Sequence, residues 1–291
     1  MYETQYIELG NAILDHGQKS VCRNDHTTVS VFAPGAIVVD LQQEFPVLTT
    51  RKVRLDTVFK ELMFFIRGQT DTKILENQGV GIWKGNTNRA FLDSRGLQRF
   101  KEGDMGPMYG FAMRHFGATY HGCDHDYRSG EWQGVDQLSN IINLVQNDPT
   151  SRRMVVTMYD PSVLDQCVLM PCHMFWQVYV RGEYLDMVVY QRSVDFTCGL
   201  SFNTPSYAML LVMLAGTTGK KPGILKHSFG DTHVYTDHIP QLKQQLWIEP
   251  AEESVRLVGF TPRENIEDYT FDDFVFSEYT PKSNIRYTMK A

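Results

Sequence analysis

Cys172 is the residue best placed to carry out covalent chemistry in this sequence. It lies between Pro171, which fixes the backbone ahead of it, and His173, which opens a run typical of a β-strand. A cysteine attacks as its thiolate, and a positive or hydrogen-bonding environment lowers the thiol pKa to make that form available. The chain has five cysteines, however, and a cysteine without further context is a small buried apolar residue. The local sequence alone leaves both interpretations open.

Glu61 is the second candidate, because its carboxylate lies within the apolar run of residues 60–65, KELMFF. A carboxylate in such a setting is costly unless it is paired or has a function. The alternative is an exposed position on an amphipathic helix. The spacing does not separate these two interpretations.

A third cluster offers metal-ligand chemistry. His121, Cys123 and His125 alternate, so a strand there would put three ligands on one face. No convincing fourth ligand is near, although Asp126 could serve. Because residues 120–133 are polar, we expect an exposed loop there rather than a metal site.

The bulk composition limits the classes of function. The chain has 291 residues, 42% of them apolar, which is enough for a large core. Its net charge of −6 does not favour nucleic-acid binding, so any anion must be held by a local arginine cluster. The apolar stretches are far shorter than the ~20 residues that span a bilayer, and the first ten residues contain no signal sequence. With cysteines that lack paired spacing, these features favour a cytoplasmic protein.

The elements that position these residues are helices and strands without the regular alternation of a doubly wound fold. Apolar spacing and length predict helices over residues 3–15, 55–67, 138–145 and 207–214. They predict strands over residues 29–32, 37–41, 154–158, 175–180 and 185–190. The last two strands are joined by Arg181-Gly182-Glu183, a plausible hairpin connection. This mixture favours the α+β class.

Several motifs accompany Cys172 in a fixed order. They are SRR at 151–153, QRSVD at 191–195, GLSFN at 199–203 and GDTHVY at 230–235, with IW at 82–83 and DMGPMYG at 104–110. Together they closely resemble the thymidylate synthase family, over residues 6 to 279. The resemblance implies a single catalytic domain over residues 1–291, built on a large mixed β-sheet with surrounding helices. It also implies a homodimer formed through that sheet.

The resemblance further implies a reaction. A one-carbon unit would pass from 5,10-methylenetetrahydrofolate, the cosubstrate, to C5 of dUMP through a covalent adduct with Cys172, without a metal. Glu61 resembles the family's general acid/base, and Tyr109 resembles the tyrosine implicated in removing the C5 proton. His173 and Gln191 would line the same pocket.

The nucleotide contacts follow from the same resemblance. A phosphate suits guanidinium donors, and the matching positions are Arg23, Arg192 and Ser193 of one chain with Arg152 and Arg153 of its partner. The alternative for adjacent arginines is a solvated surface. The carboxamide of Asn203 complements N3–H and O4 of uracil, whereas family members that act on cytosine carry aspartate there. His233 and Tyr235 match the pair that binds the 3′-hydroxyl of the deoxyribose.

The folate half of the site shows the departures from the family pattern. The matching positions are Trp83, Asn86, Asp195, Gly199 and Phe202, and Asp195 resembles the residue that orients the pterin. Cys198 and Ser201, however, replace a leucine-like residue and a proline in the folate loop. The chain also ends in Ala291 rather than a branched apolar residue.

These departures keep a second outcome open. In the family, the carboxyl terminus closes over the active site as a lid. A lid that admits water would give 5-hydroxymethyl-dUMP and tetrahydrofolate instead of dTMP and dihydrofolate. We expect reductive methylation, with the hydroxymethylase as the alternative. An inactive nucleotide- or RNA-binding regulator is a remote alternative, because Cys172 and Glu61 are both present.

Overall fold

The computed structural model describes residues 1–22, 26–129 and 133–290. Nine strands are present in these ranges: β1 Gln18–Val21, β2 Thr27–Phe32, β3 Ile37–Asp40, β4 Val155–Thr157, β5 His173–Arg181, β6 Tyr184–Asp195, β7 Lys221–Tyr235, β8 Leu257–Phe260 and β9 Phe274–Phe276. The described helices are α1 Tyr2–His16, α2 Leu55–Ile66, α3 Lys73–Asn77, α4 Lys84–Thr87, α5 Arg89–Ser94, α6 Gly110–His115, α7 Gln137–Asn147, α8 Ser201–Thr217 and α9 Ile239–Leu246. A π-helical turn, Phe196–Leu200, leads directly into α8.

The centre of the fold is a seven-stranded mixed sheet in the order β1-β2-β7-β6-β5-β4, with β3 also paired to β7. All pairs are antiparallel except β6 with β7, which are parallel. A parallel pair needs a long crossover, and here α8 supplies it. The register sets His173 opposite Gln191 and Asp195 opposite His233, so three neighbouring strands bring the predicted site residues together.

Helix α8 is the core helix beneath this sheet. Its apolar residues are buried on all sides rather than along one stripe, and α2 packs on both α8 and α6. The segment Phe196–Thr217 is the one described helix long and apolar enough to cross a membrane, but most of it is buried inside the protein. Its length therefore reflects its place in the core.

Most of the predicted elements are confirmed, including the large mixed sheet with helices around it. The hairpin is confirmed because Arg181 of β5 pairs with Tyr184 of β6 around Gly182, whose φ of 63° suits glycine. The predicted turn at Pro34-Gly35 separates β2 from β3, yet these strands both pair with β7 and not with each other. The long strand β7 was not predicted, because prolines, glycines and charges interrupt its apolar pattern.

The prediction of an exposed loop over residues 120–133 is wrong at its start. Tyr120 is buried, and its hydroxyl donates to Asp104 Oδ1 at 2.6 Å and contacts Thr70 at 2.9 Å. The aromatic ring needs burial and the hydroxyl finds buried partners, which the polar neighbours in the sequence conceal. Residues 130–132 lie outside the described residues.

Candidate active site

Cys172 lies at the start of β5, in a turn that Arg192 holds in place. The Arg192 guanidinium donates to Pro171 O at 2.9 Å and to Met170 O at 2.8 Å, and its Nη2 lies 3.9 Å from Cys172 Sγ. The backbone adds a bond from Arg192 N to Cys172 O at 2.8 Å. A fixed guanidinium beside a half-buried thiol favours the thiolate, which is the form that attacks.

Tyr109 closes the other side of the thiol. Its hydroxyl accepts a hydrogen bond from Cys172 N at 3.1 Å. Burial, together with the nearby Cys172, raises the pKa of Tyr109 well above its ordinary value, so the phenol stays protonated. Its backbone has a φ of 26°, which is rare for a residue other than glycine and marks strain of the kind found at functional sites.

Glu61, on α2, borders the group formed by Cys172, Tyr109 and Trp83, which is called the cleft below. Its carboxylate accepts a hydrogen bond from Trp83 Nε1 at 2.8 Å. Burial raises the pKa of Glu61 to about 7, although the bond from Trp83 lowers it in part. The carboxyl group can therefore both give and take a proton near neutral pH. The ring centre of Trp83 lies 6.1 Å from that of Tyr109, so the hydrogen bond from Trp83 brings the Glu61 carboxylate into the same group of side chains as the phenol.

His173 is held neutral behind this cleft. Its Nδ1 lies 2.6 Å from the hydroxyl of Tyr207, and its ring is 5.2 Å from that of Tyr109. Burial lowers the pKa of His173 to about 4. The imidazole is therefore a neutral hydrogen-bonding group at neutral pH and not a cation.

Asn203, in the first turn of α8, contacts a buried polar chain. Gln191 Nε2 donates to Asn203 Oδ1 and to Ser193 O, each at 3.1 Å. Gln191 Oε1 lies 3.1 Å from His227 Nε2, and His227 Nδ1 lies 3.0 Å from the hydroxyl of Thr204. Sequence reasoning missed His227 and Thr204. The inward alternation of Leu225, His227 and Phe229 would have revealed the histidine if β7 had been recognised.

The predicted sugar-binding pair lies at the end of β7. His233 and Tyr235 alternate with one residue between them, so they share a face of the strand, and their rings meet edge to face at 5.5 Å. His233 Nδ1 is 2.6 Å from Asp231 Oδ1. Burial would raise the pKa of Asp231, but the bond and charge of His233 lower it overall.

The loop predicted to contact folate is built on Asp195. Its Oδ1 accepts from Thr197 N at 2.8 Å and from Cys198 N at 3.0 Å, which caps the π-helical turn that opens α8. Gly199 lies so close to Asn203 that a Cβ there would be 3.3 Å from Oδ1. Phe202 is half-buried beside this turn.

The comparisons with known proteins cover nearly the whole chain. Residues 4–291 match the thymidylate synthase family. The chain is 39% identical to thymidylate synthase of Saccharomyces cerevisiae, over 99% of this chain and 97% of that protein. It is 42% identical to human thymidylate synthase, over 99% of this chain and 90% of that protein. The chain belongs to the thymidylate synthase family.

Some residues predicted from the family resemblance are not joined to the cleft by contacts within this chain. Arg152 and Arg153 are exposed just before the edge strand β4, and neither has an ion-pair partner among the described residues. Asn86 is buried in α4, and its Nδ2 has no hydrogen-bond partner in the described parts of the chain. Arg23 lies outside the described residues.

The carboxyl-terminal segment of this family member reaches, through Arg51, the residues predicted to contact folate. The Tyr287 hydroxyl donates to Gln245 Oε1 at 2.7 Å, and the ring stacks on the guanidinium of Arg51, whose Cζ is 4.9 Å from the ring centre. Arg51 also donates to the hydroxyl of Ser201 in the loop. Lys290 forms an ion pair with Asp237. Ser201, one of the departures noted in the sequence, thus contacts Arg51, which also stacks on Tyr287 of the carboxyl-terminal segment.

The metal alternative is not supported by the geometry of residues 121–126. The ligand atoms that converge near there belong to Asp71, Cys123 and Asp124, without His121 or His125. Lys101 forms ion pairs with both aspartates of that group. The Lys101 cation thus already pairs with both carboxylates of this cluster.

Proposed function

We propose that this chain is a thymidylate synthase that methylates dUMP at C5. The observation that carries the proposal is the arrangement around Tyr109, whose hydroxyl contacts the backbone of Cys172 while the neighbouring Trp83 donates a hydrogen bond to the Glu61 carboxylate. A nucleophile beside a fixed cation and an acid/base with a pKa of about 7 are the two groups the reaction requires.

The reaction follows from these groups. The Cys172 thiolate adds to C6 of uracil, and the electrons of the C5–C6 double bond pass to the C4 carbonyl oxygen as an enolate. C5 then attacks the iminium carbon of 5,10-methylenetetrahydrofolate. Glu61 transfers protons through water to the carbonyl and the folate, and Tyr109 assists removal of the C5 proton. Loss of the C5 proton expels tetrahydrofolate from the transferred carbon and leaves an exocyclic methylene on C5. Hydride from that tetrahydrofolate reduces the methylene to a methyl group, and the Cys172 thiolate leaves as the C5–C6 double bond re-forms, which gives dTMP and dihydrofolate.

The remaining site residues divide between the two ligands. Arg192 and Ser193, with Arg23, bind the phosphate, and His233 and Tyr235 bind the deoxyribose. Asn203 reads the uracil. Asp195, Gly199, Phe202 and Trp83 form the folate platform, together with Asn86. The reaction needs no metal, and five free cysteines are compatible with a cytoplasmic location.

The hydroxymethylase is the second candidate, and the contacts of the carboxyl-terminal segment favour methylation over it. Hydroxymethylation requires that water reach the C5 methylene. Here Tyr287 covers Arg51 beside the folate loop, and Lys290 is paired with Asp237. A tail held at two points favours exclusion of water, and therefore hydride transfer.

The active protein in this proposal is a homodimer formed through the sheet. Val155, Phe175 and Tyr179 are 42%, 38% and 57% exposed on the outer face of β4 and β5, although apolar side chains of that size favour burial. A second copy of the same face would cover them. Arg152 and Arg153, at the same edge, would then reach the phosphate in the partner's site.

One incubation tests the proposal. The purified chain is given dUMP and 5,10-methylenetetrahydrofolate, and pyrimidine mass and dihydrofolate are followed together. Equal amounts of dTMP and dihydrofolate are expected, and Cys172→Ala should abolish both while retaining dUMP binding. A hydroxymethylated product without dihydrofolate would establish the second candidate. Near-normal turnover by Cys172→Ala would refute the covalent mechanism.

A further inference from the structure

A group of metal-ligand side chains lies at the loop predicted to contact folate. Asp195 and Cys198 belong to this loop, and His238 follows strand β7. A carboxylate oxygen, the sulfur and a ring nitrogen of these residues lie within 4.8 Å of one another. Tetrahedral zinc with bonds of about 2.0–2.3 Å separates its ligand atoms by about 3.3–3.8 Å. Side-chain movements of about 1 Å would therefore bring the three atoms onto one ion.

The thiol of Cys198 distinguishes this group from its counterpart in the family. A leucine-like residue at that position fills the same space but cannot bind an ion. Thiolate, imidazole and carboxylate together suit Zn²⁺, and three protein ligands leave a fourth position open. Asp195 Oδ1 already accepts from two backbone N–H groups, but a carboxylate has about four lone-pair sites. Asp195 can therefore cap the turn and bind an ion at once.

Thr197 fixes the hydrogen on the His238 ring. The Thr197 hydroxyl donates to Asp195 Oδ1 at 2.7 Å, because an ionised carboxylate only accepts. The same hydroxyl oxygen lies 2.8 Å from His238 Nδ1 and accepts from it. In the neutral ring, the lone pair is then on Nε2. A histidine that binds a metal usually donates its other N–H in this way.

His238 Nε2 is buried without a partner. The residue is only 3% exposed, and this nitrogen has no hydrogen-bond partner within the described ranges. The rings of Tyr235 and Tyr287 lie 5.8 Å and 5.2 Å from the imidazole. A buried polar atom that lacks a partner is unfavourable, and a bound cation would remove that cost.

We propose that Asp195, Cys198 and His238 bind Zn²⁺, and that the bound ion excludes folate. The exclusion rests on the proposed function, in which Asp195 contacts the pterin, whereas binding of the ion does not. The carboxylate and the Cys198 thiolate balance the two charges of the ion.

The sulfur gives up its proton when the ion binds. Burial and the charge of Asp195 raise the pKa of the Cys198 thiol to about 12, although Arg51 lowers it in part. The thiol is therefore protonated at neutral pH before zinc arrives. Formation of the Zn–S bond breaks the S–H bond, and the proton passes to solvent.

Calorimetric titration of the full chain with Zn²⁺ tests the site. Every chain in the titration also carries Cys172→Ala, so the nucleophile cannot bind the ion, and the chain with this change alone is the reference. We expect one ion per reference chain and release of about one proton. Thr197→Val should weaken zinc binding about 10–100-fold through the loss of the histidine's partner, and Cys198→Leu should weaken it by about 100-fold or more.

The matched control is Cys123→Ser. It removes another half-buried thiol that lies beside two carboxylates, and zinc affinity should not change. Thermal unfolding without metal separates loss of the site from loss of the fold, and Cys198→Ser replaces Cys198→Leu if the latter does not fold. Excess zinc should raise the Tm of the reference chain and of Cys123→Ser, but not that of Cys198→Leu.

Cobalt identifies the sulfur ligand directly. Co²⁺ binds the same kinds of ligand as Zn²⁺, and a cobalt–thiolate bond gives a charge-transfer band in the near ultraviolet. This band is expected in the reference chain and in Cys123→Ser. It should be absent from Cys198→Leu.

Kinetics with Cys172 intact tests the exclusion of folate. At zinc ten times above its dissociation constant, competition should raise the KM for 5,10-methylenetetrahydrofolate about tenfold and leave the KM for dUMP unchanged. Each variant is compared with itself in the absence of zinc. Cys198→Leu should show no effect of zinc.

The outcomes separate this inference from the proposed function. A reference chain that binds no zinc, or a folded Cys198→Leu that binds it as tightly, would overturn the site. Binding that depends on Cys198 in a chain without synthase activity would support the site and refute the proposed function. If zinc binds through Cys198 and the KM for the folate is unchanged in an active chain, the exclusion is wrong.

Discussion

Replacing Glu61 by glutamine should make the protein more stable and nearly inactive, with a stability gain that depends on pH. Burial raises the pKa of Glu61 from 4.5 to about 7. Between pH 4.5 and about 7, the folded protein therefore keeps a proton on Glu61 that the unfolded chain has released. The carboxyl group consequently lowers the free energy of unfolding as pH rises through that range. A shift of this size corresponds to roughly 3 kcal/mol at full effect.

The upward direction of the Glu61 pKa shift sets the expected pH dependence of stability. Glutamine has no proton to release, so Glu61→Gln should match the unmodified chain below pH 4.5, gain stability between pH 4.5 and 7, and keep the whole gain above pH 7. The free energy of unfolding is measured by urea titration from pH 4 to 9. Loss of a general acid/base should lower kcat by a factor on the order of 10² to 10⁴.

The matched control is Glu252→Gln, which changes an exposed glutamate in the same way. The free energy of unfolding of Glu252→Gln should stay close to that of the unmodified chain at every pH. A gain in Glu61→Gln that does not vary with pH would show that the amide packs better for reasons unrelated to titration. No gain at pH 8 would show that the carboxylate is already well solvated in the cleft.

Three further predictions concern the same site. Trp83→Phe removes the indole N–H that favours the Glu61 carboxylate, so the limb of the kcat/KM profile that reports Glu61 should move up from pH 7 by about one unit; an unmoved limb would contradict that bond. Asn203→Asp should shift binding from dUMP toward dCMP, and unchanged discrimination would remove Asn203 from the reading role. Mixing Arg152→Ala chains with Cys172→Ala chains should restore some activity in heterodimers, and an absence of complementation would count against shared sites.

The sequence predicted the elements whose patterns are local. The helix of residues 55–67 has enough apolar residues at helical spacing to be recognised, and Glu61 stands out within it because its charge breaks the run. The hairpin after residue 180 follows from a glycine-containing connection between two alternating strands. In both cases, the residues that determine the structure are neighbours in the sequence.

What the sequence could not provide depends on distant partners. Strand β7 has few local signals, and its pairing with β2, β3 and β6 is what makes it a strand. The burial of Tyr120 likewise depends on Asp104 and Thr70. The contact of His227 with Gln191 was invisible for the same reason, since it joins two strands that are far apart in the sequence.

The parallel pairing of β6 with β7 ties the site to the completion of folding. The proposed nucleophile, base-reading amide and sugar-binding pair come from the residue before β5, the start of α8 and β7, and the last of these joins the sheet only after α8 has crossed over. Such non-local pairings form late and slowly. A chain truncated before residue 221 would retain Cys172 but no complete pocket. Nucleotide should therefore bind only the fully folded chain and protect it from proteolysis as a whole.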